Sequence, residues 1–179
     1  MNRLYRYVIA HDTGDAPCID NGILTLATCK PVTRRKASAG DWVAGFVGSP
    51  APLGVLVWAA RVVRKMDWPS FVDEYSGRRD ACYAMTEDGN WSRLRPDYHP
   101  HPDQMRKDLS EPVLIFDPAE TWYFGSRPVS LPGHLVQLGA KGRGHRVTDD
   151  EVVIAKFANW LRASFAAGFH GDPVGGASC

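Results

Sequence analysis

The sequence predicts an α+β domain, with a bent mixed β-sheet or pseudo-barrel flanked by helices. Three features carry that prediction. Short apolar runs rich in β-branched and aromatic residues are punctuated by Gly, Pro and Asp, the pattern of strands joined by turns. One strongly amphipathic helical pattern lies near the C-terminus. With 179 residues, 44% hydrophobic and 23% charged, the chain is long and apolar enough to bury a core without disulfide staples.

Leu4 to Ala10 alternates aromatic, basic and aliphatic residues as a strand does, and the turn-forming residues from His11 to Pro17 end it. Ile23 to Ala27, Asp41 to Phe46 and Gly54 to Val63 supply the centre of the sheet. Asp67 to Tyr75 reads as a short helix with Asp67 as N-cap and Pro69 in its first turn, where a missing N–H costs nothing. Ser76 to Leu109 is polar and rich in Gly, Pro and Asp, and a connection of that length is either mobile or functional. Pro112 to Phe116 and Thr121 to Gly125 are expected to form a late hairpin about an Asp117–Pro118 turn. Thr148 to Glu151 fits a capping box ahead of a helix from Asp149 to Phe165. Its apolar face, which includes Phe157, Trp160 and Leu161, should pack on the sheet, and Trp58 and Trp160 are expected in the core. A single domain over 1–168 and a Gly-rich flexible tail over 169–179 complete the reading.

Charge narrows the function. With 21 basic and 20 acidic side chains the net charge is +1, so no global field draws the protein to nucleic acid, and any polyanion contact must be a local patch. Cys18, Cys29, Cys82 and Cys179 lie far apart, which argues against a disulfide framework or zinc knuckle and fits a reduced, cytoplasmic protein. The N-terminal segment lacks the apolar core of a signal peptide, and no run reaches the roughly 18 apolar residues of a membrane helix.

The most informative segment is Thr25 to Phe46. Lys30, Arg34, Arg35 and Lys36 place four cations within seven residues beside Thr25, Thr28 and Thr33, donors suited to phosphate oxygens. Gly142 to Arg146, with Arg143, His145 and Arg146, is a second glycine-rich basic element that would gain meaning by facing the first. Trp42, after Gly40 and Asp41, and Trp91, in the polar insert, are candidate pocket walls for a stacked base. His11 and Asp12 stand at a strand end, where an acid or base is commonly placed, although neighbours on an extended chain point to opposite faces. Cys29 is a candidate nucleophile, but its one evident activator is Lys30, and the expectation is that it is not required. His99 and His101, with Asp97, Asp103 or Cys82, match no strong zinc spacing; no metal and no cofactor are expected.

His11 to Gly14, Cys18, Thr25 to Pro31 with Arg34 and Arg35, and Gly40 to Val43 resemble the bacterial and phage family called nucleotide modification associated domain 2. The match is specific over the first fifty residues. It implies a small domain linked to DNA modification that acts on, or reads, modified nucleotides. The order of strand, basic segment, Gly-Asp turn and long strand is also similar to the PUA-like ASCH, EVE and YTH domains, which hold a flipped or single-stranded base between aromatic and basic side chains.

These features support one leading expectation and two rivals. The first is a PUA-like reader that binds a modified base, nucleotide or nucleic acid, with Lys30, Arg34 and Arg35 on phosphate, Trp42 stacking, and Asp41 or Asp12 on a base edge. The second is an enzyme acting on a modified nucleotide through His11, Asp12 and Cys29. The third is a module whose basic segment docks a protein partner.

Overall fold

A computed structural model describes residues 2–175. In chain order the elements are β1 (Leu4–Ile9), β2 (Cys18–Asp20), β3 (Ile23–Leu26), α1 (Pro31–Lys36), β4 (Trp42–Val47), β5 (Val55–Met66), α2 (Trp68–Glu74) and β6 (Tyr83–Met85). There follow β7 (Trp91–Arg93), α3 (Pro102–Leu109), β8 (Val113–Tyr123), β9 (Val129–Ser130), a 3-10 turn over Gly133–Leu138, β10 (His145–Thr148), α4 (Glu151–Ser164) and β11 (Gly168–Phe169).

The main sheet runs β10-β1-β4-β5-β8-β3-β2, with β9 added to β5 and β11 to β8. β1 pairs with β4, and β11 with β8, in parallel; the other pairs are antiparallel. The fold is therefore mixed α+β, as the patterning requires. The outer strands β10 and β2 do not pair with each other, so the sheet is bent and open and the pseudo-barrel alternative is not realised. Its bending has a local cause. Register shifts interrupt the β4–β5 ladder at Gly45 and the β5–β8 ladder on both sides of Val62, and such bulges increase twist and curl a strand. Gly45 is required there because any Cβ would collide with the Trp58 ring.

Strand alternation assigns the two faces. Leu4, Trp42 and Ala44 point to one side, with Phe157 and Leu161 of α4 and Leu135 and Leu138 of the 3-10 turn. Tyr5, Tyr7 and Val43 point to the other, with Trp58, Phe116 and Tyr123. A third cluster, including Trp68, Phe71, Tyr83 and Tyr98, sits under the polar insert. That insert is ordered structure: the β6–β7 hairpin and α3. It is tied down by buried aromatic residues that its polar composition obscures.

Four expectations need correction. The late hairpin is one continuous strand, because both halves of β8 pair with the twelve-residue β5 instead of with each other: Ile115 faces Arg64 and Tyr123 faces Trp58. The Asp117–Pro118 kink is absorbed within it, where Asp117 accepts from the Ala119 N–H and the Thr121 hydroxyl. The N-cap of α4 is Asp150, whose carboxylate accepts from the N–H groups of Val152 and Val153, since Thr148 is engaged in β10. Trp160 is only half-buried at the edge of the first cluster, while Trp58 is fully buried. Finally, the described part of the expected tail is attached: β11 lies on β8, the Ser126 N–H donates to the Asp172 carbonyl, and the Gly175 N–H donates to that of Asp12. Residues 176–179 of that tail lie outside the described residues.

Phe157→Ala should lower the unfolding free energy by about 3–5 kcal/mol, and Trp160→Ala by clearly less, as fits a ring at the edge of the cluster. Urea unfolding followed by circular dichroism measures both, and equal losses would contradict the packing described.

Candidate active site

The chain leaves β3 at Leu26 and passes through buried Ala27 and Thr28 into two consecutive left-handed residues, Cys29 (φ 57°) and Lys30 (φ 42°), before Pro31 opens α1. Non-glycine residues in that region cost about 1–2 kcal/mol each, so something must hold them. Arg34 does so. Its side chain is 0% exposed, and its guanidinium donates to the carbonyls of Cys29, Asp108, Glu111 and Pro112, binding the start of α1 to the end of α3 and the start of β8. It also lies 3.8 Å from the Asp108 carboxylate. Burial lowers its pKa to about 10, still charged at neutral pH, with Asp108 countering the shift.

Asp108 is the acceptor at the centre. Its Oδ1 takes the Cys29 N–H at 3.0 Å, and its Oδ2 takes the Tyr83 hydroxyl at 2.8 Å and His99 Nδ1 at 2.5 Å. Its own carbonyl accepts the Trp68 indole N–H at 2.8 Å. His99 is stacked on Tyr98, ring centroids 4.2 Å apart and planes within 10°, and its carbonyl takes the Arg93 guanidinium at 2.9 Å. Tyr98 is anchored in turn by its hydroxyl contact with Thr28. With Nδ1 on a carboxylate, the other ring nitrogen of His99 faces Cys29 Sγ at 3.6 Å. Burial disfavours the imidazolium, but hydrogen bonds to Asp108 and Cys29 outweigh it and push the His99 pKa up to about 9. A thiol, an imidazole and an orienting carboxylate thus stand in line, the arrangement of a nucleophile, its acid–base partner and the group that aims that partner.

The sulfur opens onto a cavity of about 240 Å³ lined by Tyr7, Ile9, His11, Cys29, Lys30 and His99, among others. On the far side of Lys30 and Tyr7 lies a larger groove of about 1070 Å³, bordered also by Val47, Arg143 and His145. Lys30 belongs to both spaces and is half-buried, its ammonium 4.5 Å above the Tyr7 ring. Among the described residues no group of three or more His, Cys, Asp or Glu is placed to hold a metal ion.

The residues singled out from sequence are divided by these surroundings. Cys29 is at the centre, Lys30 and His11 line its cavity, and Arg143 and His145 border the groove opposite Lys30. Lys30 of the first basic element and Arg143 and His145 of the second thus border one groove. Arg34 cannot reach a phosphate, because its donors are spent on four carbonyls inside the protein. Arg35 is exposed and paired with Glu111 at 2.8 Å, and the exposed Arg146 guanidinium turns back to the Lys141 carbonyl. Asp41 accepts from the N–H groups of Arg3 and Ser38, which holds the turn into β4. Trp42 is 3% exposed, stacked on Trp122 and packed edge-on against Phe157 of α4, away from the Cys29 cavity and the Lys30 groove. Trp91 packs against Trp68. Asp12 is buried, accepts the Tyr123 hydroxyl at 2.7 Å and has its pKa raised by burial; it is separated from His11 as the extended chain requires. His99 and Asp108 are the members of this cluster that sequence reasoning missed: His99 appears there only as a candidate metal ligand, and Asp108 not at all.

A family model described as nucleotide modification associated domain 2 matches the chain over residues 1–81 and 80–178, and the chain belongs to that family. No curated protein and no solved structure matches it. No helix among the described residues is long and apolar enough to cross a membrane.

Arg34→Met should cost about 3–5 kcal/mol of stability, because it leaves Asp108 and several carbonyls buried without their donor. Arg35→Ala, at an exposed pair, should stay within about 1 kcal/mol. Similar small losses for both, measured by chemical denaturation, would return Arg34 to the surface role its sequence position suggests.

Proposed function

We propose that this member of the nucleotide modification associated domain 2 family is a thiol-dependent enzyme acting on a nucleotide or modified base, with Cys29 as nucleophile, His99 as its acid–base partner and Asp108 as the orienting group. The observation that carries the reading is the contact of Cys29 Sγ with His99 Nε2 at 3.6 Å while His99 Nδ1 is held by Asp108. The left-handed backbone at Cys29 is strain kept at a site where it positions a side chain toward a cavity. His99, with its pKa raised to about 9, carries its proton at neutral pH. It therefore sets a cation against the sulfur before attack and serves as general acid to the leaving group afterwards. Asp108 fixes the ring so that Nε2 and not Nδ1 meets the sulfur. The proton on His99 is the one given up by the Cys29 thiol. The sulfur then bonds to an electrophilic carbon of the substrate, His99 passes that proton to the leaving group as its bond to carbon breaks, and water releases the bound fragment from the sulfur.

The groove beside Lys30, Arg143 and His145 supplies the place for the rest of a nucleotide or a single-stranded segment. Reading of a modified base without turnover is the second interpretation. It is favoured by the size of that groove, which is several times larger than the cavity at Cys29.

Iodoacetamide alkylation of Cys29, followed by peptide mass mapping, tests the leading reading. Cys18 and Cys82, whose pKa values burial raises to about 12, are internal slow standards. The Cys29 rate at pH 7 should fall at least about tenfold in His99→Gln. An unchanged rate, with salt-sensitive binding of nucleotides intact in Cys29→Ala, favours the reader.

A further inference from the structure

We propose that Lys30 forms an anion subsite between the Cys29 cavity and the large groove, so that the substrate presents an anionic oxygen, of a phosphate or carboxylate, beside the carbon that Cys29 attacks. The inference rests on the thiol reading above and adds the charge and placement of the ligand.

Two observations carry it. Lys30 takes part in no ion pair among the described residues; its ammonium rests on the Tyr7 ring, a weak partner that leaves its hydrogen-bond donors unspent. A half-buried ammonium with no carboxylate in reach is costly unless an anion visits it. It lines both spaces at their junction, so an anion held there touches the cavity and the groove at once. The second observation concerns Cys29 itself. A nucleophile's own N–H commonly stabilises negative oxygen at the reacting centre, but the Cys29 N–H is already given to Asp108 Oδ1 at 3.0 Å. The positive partner for a substrate oxygen has to come from another group, and Lys30, the next residue in the chain, is on the cavity wall. Burial lowers the Lys30 pKa while the neighbouring Cys29 opposes the shift. Arg143, which lines the same groove, extends the positive field outward, which suits a nucleotide whose phosphate is bound at Lys30.

The subsite is tested with two alkylating agents of the same reactive carbon, iodoacetate and iodoacetamide, which differ in one negative charge. Rates at Cys29 are read by peptide mass mapping in the wild type, Lys30→Met and Lys30→Arg, each referred to N-acetylcysteine. The iodoacetate-to-iodoacetamide ratio should exceed that of N-acetylcysteine by about tenfold in the wild type, stay high in Lys30→Arg and fall at least about threefold in Lys30→Met, where the His99 imidazolium still stands beside the sulfur. Protection of Cys29 by inorganic phosphate over acetate at equal ionic strength identifies phosphate as the anion; the reverse order identifies carboxylate. An unchanged ratio in Lys30→Met overturns the subsite. Fast, His99-dependent iodoacetamide alkylation with no preference for iodoacetate also overturns it, but leaves the thiol reading standing. A high, Lys30-dependent ratio on a thiol that His99→Gln does not slow supports the subsite and removes the triad.

Discussion

The buried Arg34 guanidinium and its neighbour Asp108 are the constraint on which the site depends. Removing an arginine from water costs several kcal/mol unless every donor is satisfied, and here the acceptors come from Cys29, Asp108, Glu111 and Pro112. These residues belong to three segments: the approach to α1 and, 79 residues after Cys29, the end of α3 with the entry to β8 that follows it. Satisfying one side chain therefore clamps all three. The same clamp brings Asp108 to the Cys29 N–H and to His99, and offsets the left-handed backbone at Cys29 and Lys30. Geometry at the sulfur is thus a consequence of how a structural charge is neutralised.

The clamp also explains why a run of cations in sequence is not a patch in space. Lys30, Arg34 and Arg35 lie within six residues, yet one lines a cavity, one is internal and one forms an exposed pair with Glu111. A six-residue helix turns successive side chains about 100° apart, so neighbours in sequence are sent to different environments. The basic loop Gly142 to Arg146 shares a groove with Lys30, Pro31, Val32 and Thr33, and Lys30 is the cation of the first segment that lines it. What borders the groove is a sparse set of basic residues around a concave surface, in accord with a net charge of +1.

Much of the fold was legible because it rests on local periodicity. Strand alternation in β1 and β4, the Asp67 cap of α2 and the apolar stripe of α4 can each be read from adjacent residues. The continuous β8 was not, since an Asp-Pro pair signals a turn and only the twelve-residue partner β5 makes extension the better solution. Trp42 was misassigned because a strand beginning after Gly-Asp looks the same whether its first side chain points outward or under a helix. Of the candidate site, Cys29 and Lys30 were visible in sequence, but their partners were not. His99 lies seventy residues from Cys29, in a segment whose polarity suggested a loose connection, and buried Tyr83 and Tyr98 order it. A cysteine and a histidine brought together by tertiary packing leave no local spacing to find.

The family to which the chain belongs associates it with nucleotide modification, and the structure brings a cysteine, a histidine and an aspartate together beside a cavity. The claim that joins them is that Cys29, His99 and Asp108 behave as one electrostatic unit. Titration of the His99 ring nitrogens by NMR, in the wild type and in Cys29→Ala, tests it most directly. The midpoint should lie at about 9, fall when the sulfur is removed and yet stay above the ordinary histidine value, because Asp108 still holds Nδ1. A midpoint at the ordinary value of about 6.5, the same in both proteins, would contradict it.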